Sequence, residues 1–260
     1  MHHGWGFAMH WSVQFFMIAA ASLSLASPAA ADVLDHDKVQ QIAAAASAVE
    51  FYYQPMIADG PDACNNYPAV DQWGNVNGGL NPSGAPDGHC RGTNGQVYSR
   101  MAEYYNKCAI LYAYYFPKDQ PPNYLGAFAG HRHDWESIVV WTEGCYVGAK
   151  IVKVNYSTHG KYSVNTNPPV FMGATGYLAN GIHPKLTYHA TYLGFADHVL
   201  DPTIDTGRTQ PLISWDRLPA AAKNTLNTYD FGAADVPMKD GGAFWSNLQK
   251  AWASTDVHNP

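Results

Sequence analysis

Charge is scarce in this 260-residue chain. Asp, Glu, Lys and Arg make up 14% of it, and none of them occurs before Asp32. No cluster of Lys and Arg appears anywhere, and the formal net charge is −6, which excludes the electrostatic footprint of a nucleic-acid binder. The four cysteines contain no C-x-x-C pair, so a zinc ribbon is excluded. There is no G-x-S-x-G elbow, no Gly-rich phosphate loop, no βαβ alternation and no internal repeat. Their absence removes the serine-hydrolase, dinucleotide-binding and solenoid classes. What is present is a chain that is 47% hydrophobic, which excludes intrinsic disorder and is enough for one domain with a sizeable core.

The charge-free leader has a pattern of its own. Phe15 to Leu25 is an apolar run, and Ser27-Pro28-Ala29-Ala30-Ala31 offers a small-residue cleavage site. This predicts a secretory signal peptide over residues 1–31 and a secreted, extracellular domain over 32–260. His2, His3 and His10 stand where Lys or Arg is usual. A transmembrane anchor is the alternative, but the run is short for a span and a cleavage site ends it. An even number of cysteines in a secreted chain implies two disulfides with three connectivities. Cys64 and Cys90 flank a Gly-, Asn- and Pro-rich stretch, and Cys108 and Cys145 border apolar strand patterns. Cys64–Cys90 with Cys108–Cys145 is the favoured pairing.

Periodicity predicts a mainly β protein. Ala109–Phe116 and Trp135–Trp141 read as strands buried on both faces, and Tyr146–Tyr156 and Lys185–Leu193 as further strands. Residues 54–95 read as loop. Helices are expected at Asp35–Val49, at Leu218–Thr228 with Pro219 in the first turn, and at Gly242–Ala253. The simplest architecture is a single-domain antiparallel β-sandwich flanked by about three helices. Most of the 17 Tyr, 8 Trp and 10 Phe would fill its core, a minority serving as interfacial or sugar platforms.

The densest polar cluster is Gly130-His131-Arg132-His133-Asp134-Trp135-Glu136. On a strand, Asp134 and Glu136 point to one face. His131, placed in the preceding loop, can bend towards that face, and Asp119 reaches it if its strand is a neighbour. Three carboxylates and an imidazole at one point repel unless a cation lies among them. The donor set suits Mg²⁺ or Ca²⁺, leaves Mn²⁺ open and disfavours Zn²⁺. A hydrogen-bonded turn or a surface charge pair is the plainer alternative. His133 faces away once the strand has begun. His159 and His189 read as structural histidines or as bases for a metal-dependent hydrolase.

The heptapeptide Gly130 to Glu136 resembles that of the necrosis- and ethylene-inducing peptide-like proteins. Ala109-Ile110-Leu111-Tyr112-Ala113-Tyr114-Tyr115-Phe116-Pro117-Lys118-Asp119 is similar to a second segment of that family, and Tyr67-Pro68-Ala69-Val70, Gln210-Pro211-Leu212-Ile213 and Asp230-Phe231-Gly232 extend the likeness. The resemblance implies an actinoporin- and lectin-like sandwich. It implies a non-enzymatic cytolysin that binds the glycosyl inositol phosphorylceramides of plant plasma membranes and causes necrosis and immune responses, with plant immune receptors as further partners. It implies a divalent cation on Asp119, His131, Asp134 and Glu136, with His189 and His159 at the headgroup. The segment from Asp119 to Gly130 is longer than is usual there, and Cys108 and Cys145 are additional. A non-cytolytic lectin-like protein or elicitor is the alternative function.

Overall fold

The computed structural model describes residues 1–4, 31–120, 130–158, 160–165, 178–179, 181–190 and 198–255. The chain divides into two units, residues 1–30 and 31–260. The leader's apolar run lies outside the described residues, and the account below concerns the second unit. Among the described residues no helix is long and apolar enough to cross a membrane.

The strands in chain order are β1 (Val33–Leu34), β2 (Met56–Ala58), β3 (Val76–Asn77), β4 (Val97–Tyr104), β5 (Lys107–Asp119), β6 (His131–Thr142), β7 (Ile151–Thr158), β8 (Lys161–Asn165), β9 (Leu178–Ala179), β10 (His183–Ala190), β11 (His198–Pro202) and β12 (Leu212–Ser214). The large sheet runs β12-β4-β5-β6-β7-β8, antiparallel except for the β12–β4 pair. The smaller sheet runs β11-β10-β2, with β9 beside β10. Three helices flank them, α1 (Ala48–Tyr52), α2 (Ala220–Thr228) and α3 (Ala243–Ala253).

Alternation along β5 and β6 builds two cores. Ile110, Tyr112, Tyr114, Phe116, Ile138 and Val140 pack with Leu186, Tyr188 and Leu200 of the smaller sheet, and this is the sandwich interior. Leu111, Ala113, Tyr115, Val139 and Trp141 face the opposite way, onto Leu226 of α2, Phe244 and Leu248 of α3, and Trp215 and Phe231. Both faces of β5 are therefore covered, as its unbroken apolar run predicts. The disulfides are Cys64–Cys90 and Cys108–Cys145.

Three local expectations are corrected. Residues 35–47 are not helical. Their amides are used elsewhere: Ile42 N–H donates to Gln96 Oε1 at 2.7 Å, and Ala45 pairs with β12 through Leu212 O and Ser214 N. Tertiary pairing overrides the Ala-rich propensity, and the helix begins only at the capping box of Ser47 and Glu50. Residues 146–150 form turns, with Gly148 at φ 88°, and the strand starts at Ile151. The third correction shapes the functional site: His131 is already in β6, paired with Asp119 of β5, and not in a loop.

Candidate functional site

β5 and β6 pair in register from Cys108↔Thr142 to Asp119↔His131, apart from a gap at Pro117. Proline brings no N–H to the ladder, and its carbonyl accepts from Leu80 N–H instead, at 2.7 Å. Opposite it, His133 adopts φ 61°. Such a left-handed residue inside a strand changes the phase of the side chains, as a bulge does. Asp134 and Glu136, paired with Phe116 and Tyr114, face the sandwich interior by alternation, and beyond the kink His131 comes to Asp119. His131 Nδ1 donates to the His133 carbonyl at 2.7 Å, so in the neutral ring Nε2 carries the lone pair, and it stands 3.6 Å from Asp119 Oδ2.

The rest of the heptapeptide builds the support. His133 is buried on the other face, with Nδ1 2.6 Å from Tyr115 Oη and its ring edge-on to Phe231. Burial, with help from the nearby Arg132 and His131, lowers its pKa to about 4, so it is neutral at pH 7. Gly79 makes room for it, because a Cβ there would lie 2.7 Å from His133 Nδ1. Arg132 reaches outward to Gly78 O at 2.6 Å and to Asn81. Trp135 packs edge-on against Tyr98, Tyr115 and Phe231. Gly130 enters the strand at φ 112°.

Two strands of the smaller sheet close the site. Tyr188 on β10 donates to Asp134 Oδ2 at 2.7 Å. His198 on β11 hydrogen-bonds through Nδ1 to Asp119 Oδ1. The Phe116 and Tyr188 rings stack at 3.6 Å between centroids, and Tyr188 stacks on His198 at 4.8 Å, so the two polar tips rest on a column of aromatic faces. On the other flank, Ser157 of β7 donates to Glu136 Oε2. The Tyr188 phenol is held well above its ordinary pKa by burial and by the fields of Asp134, Asp119 and Glu136, which keeps it a donor.

Of the three sequence-predicted carboxylates, Asp134 is bonded to this buried phenol, and Asp119 and Glu136 act on it through their charges. Asp134 and Glu136, with His131 and His198, line a cavity of about 320 Å³ whose outer wall is made by Tyr162, Lys161, Asn247 and Lys250. Its size suits a small ligand. Asp119 stands behind the two imidazoles. The donors are mostly oxygens, the chemistry a hard cation prefers. Among the described residues no group of three or more His, Cys, Asp or Glu side chains is arranged to hold a metal ion.

The remaining predicted residues fall elsewhere. His189 is not in this cluster: alternation on β10 turns it to the opposite face from Tyr188, where Nε2 meets Asp201 Oδ2 at 2.5 Å. His159 and the lengthened segment, residues 121–129, lie outside the described residues. Sequence reasoning missed His198, Tyr188 and Ser157. The alternation His198-Val199-Leu200 in a strand would have found the first.

Comparison with known proteins agrees with this fold. The sequence profile of the family described as necrosis inducing protein (NPP1) matches residues 47–251. The necrosis-inducing protein NPP1 of Phytophthora nicotianae is 42% identical over 237 residues, covering 87% of this chain and 93% of that protein. NLP effector protein 10 of Phytophthora capsici is 40% identical, covering 91% of this chain and 97% of that protein. Among solved structures, a necrosis- and ethylene-inducing protein 2 from the agent of cocoa's witches' broom disease superposes with a TM-score of 0.76 at 36% identity, over 86% of this chain and all of that one. NLPPya in complex with mannosamine superposes with a TM-score of 0.73 at 37% identity, over 85% of this chain and all of that one.

Proposed function

This chain belongs to the necrosis-inducing protein family, and on that premise we propose that it is a secreted cytolysin that binds sugar headgroups of plant plasma-membrane sphingolipids, the glycosyl inositol phosphorylceramides, and permeabilises the membrane. The observation that carries the reading is the cavity itself, with Asp134 and Glu136 at its inner end and a polar wall around it. A related structure binds mannosamine, and another complex of the same protein binds glucosamine. Amino sugars are the ligand class that such a cavity would take.

A divalent cation, Mg²⁺ or Ca²⁺, would be held by Asp119, His131, Asp134 and Glu136. It would neutralise the carboxylates and accept sugar hydroxyls. The protein's own part is to hold these groups in place. Tyr188 orients Asp134, Ser157 orients Glu136, the His133 carbonyl orients His131, and Asp119 orients His198. Loading would exchange some of these hydrogen bonds for coordination. In this reading the protein binds and does not turn over a substrate: His133, one base a hydrolase could have used, is buried against Tyr115 and Phe231.

The test is dye release from vesicles with and without plant sphingolipids, using the parent, Asp134→Asn and Glu136→Gln, each with and without EDTA. Sphingolipid-dependent release lost in both variants and in EDTA supports the reading. Equal release by parent and variants overturns it. A non-cytolytic elicitor is the second reading, favoured by one relative: the structure of the non-toxic HaNLP3 protein superposes with a TM-score of 0.73 at 32% identity. Vesicle binding without release would select it.

A further inference from the structure

Asn77 of β3 is fully buried and is not among the residues that line the cavity. Its side-chain nitrogen Nδ2 donates to the carbonyls of Pro68 at 2.8 Å and of His36 at 3.1 Å. Its oxygen Oδ1 accepts from Gly79 N–H at 2.9 Å and from Tyr115 Oη at 3.2 Å. Carbonyls can only accept and a backbone N–H can only donate, so these partners allow one orientation of the amide. Tyr115 has a single phenolic proton, and facing Oδ1 it must offer that proton there. Tyr115 Oη then has only a lone pair left for His133 Nδ1, 2.6 Å away, so the proton between them belongs to the imidazole. The consequence reaches the cavity through the backbone. His133 holds φ 61°, a left-handed conformation that a residue other than glycine keeps only where its surroundings fix it. Its carbonyl accepts from His131 Nδ1, which turns His131 Nε2 towards Asp119.

We propose that Asn77 is a positioning residue for this site: by claiming the Tyr115 proton it fixes His133 with a proton on Nδ1, and so steadies the left-handed turn whose carbonyl orients His131. A relay of hydrogen bonds from Asn77 through Tyr115 and His133 to His131 thus links β3 to the cavity. Were residue 77 apolar, the phenol would turn its proton to His133 Nδ1, and the imidazole would carry its own on Nε2. The inference rests on the headgroup-binding reading above and adds to it a residue that touches neither sugar nor cation.

Nitrogen NMR of histidine-labelled protein and calorimetric titration with glucosamine in Mg²⁺ test this, using the parent, Asn77→Leu, Tyr115→Phe, their double variant and Asp134→Asn. Tyr53→Phe is the control: it removes another buried phenol, which donates to Ala149 O at 2.5 Å near the opposite end of β6. In the parent at pH 7, where the ring is neutral, His133 Nδ1 resonates as a protonated nitrogen and Nε2 as an unprotonated one. In Asn77→Leu the two exchange character, and glucosamine binds about fivefold more weakly, the scale of one lost hydrogen bond. Tyr115→Phe weakens binding similarly, and the double variant weakens it no further, because either substitution breaks the same relay. Tyr53→Phe loses stability and keeps the parent's affinity below its unfolding transition. Tyr115→Phe leaves the Asn77 bonds to Pro68, His36 and Gly79 in place, so it decides the matter if Asn77→Leu does not fold. A parent His133 protonated on Nε2, parental affinity in folded Asn77→Leu or in Tyr115→Phe, or an equal loss in Tyr53→Phe overturns the positioning role while the headgroup reading stands. If the parent binds glucosamine no more tightly than Asp134→Asn, the headgroup reading falls, and the positioning role with it.

Discussion

Tyr188 and Asp134 are joined by a 2.7 Å hydrogen bond that crosses the sandwich, from the smaller sheet to the large one. The phenol is buried and remains protonated, so it can only donate on that side, and it points one carboxylate oxygen inward. The other oxygen, Oδ1, accepts from Trp135 N–H at 2.8 Å. The orientation of Asp134 is thereby set by two partners before any ligand arrives.

Tyr188→Phe therefore removes a buried hydrogen bond to a charged acceptor while keeping the stacked ring. The expected result is a loss of about 1–3 kcal/mol in urea unfolding and a severalfold weaker sugar affinity. Unchanged affinity with lowered stability would mean that the bond serves the fold alone.

His133 predicts how stability depends on acidity. Its folded pKa is lowered to about 4, against about 6.5 in the unfolded chain. The unfolded state takes the proton first, so the contribution is whole above pH 6.5 and is lost as pH falls towards 4. It amounts to at most about 3 kcal/mol. His133→Phe has no proton to take up, and its unfolding midpoint between pH 7 and pH 4 should fall less steeply than the parent's. Parallel slopes would show that His133 does not carry this dependence.

Gly79 sits at φ 62°, and an added Cβ would lie 2.7 Å from His133 Nδ1. Gly79→Ala combines a left-handed backbone with a contact against a buried ring. It is expected to lower stability by about 1–3 kcal/mol, read as a fall in melting temperature. Combined with His133→Ala, the second substitution should cost less than it does alone, because the contact is gone.

Cys108–Cys145 lies at the far end of β5 and β6 from Asp119 and His131. Replacing both cysteines by serine is expected to cost about 2–4 kcal/mol of stability. Sugar affinity below the unfolding transition should stay at the parent's value. A fall in affinity at full folding would show that strain at one end of the strands reaches the other.

Strands β5 and β6, both disulfides and two of the helices were legible because each is written in local pattern: unbroken apolar runs, an even cysteine count, aromatic spacing. Asp134 and Glu136 were legible by alternation, and Asp119 once its strand was taken as a neighbour. The misplaced segment at residues 35–47 has good helical composition, and only the distant partners Gln96 and Leu212 claim its amides. Alternation could place His198 on a strand face, but its partners were not legible, for a related reason. Its role comes from a carboxylate 79 residues away in the chain and from the ring of Tyr188. His189, expected at the headgroup, points to the opposite face of β10 from Tyr188 and meets Asp201.

The kink at His133 also decides what the heptapeptide can do by itself. Its seven residues divide between two opposite faces of β6, and each face is finished by distant segments: Tyr188 and His198 on one, Gly79 and Phe231 on the other. A short peptide bearing the motif would have the letters without the pocket. Any sugar held by the native cavity therefore acts as a folding ligand, and raises the unfolding temperature in proportion to how strongly it is bound.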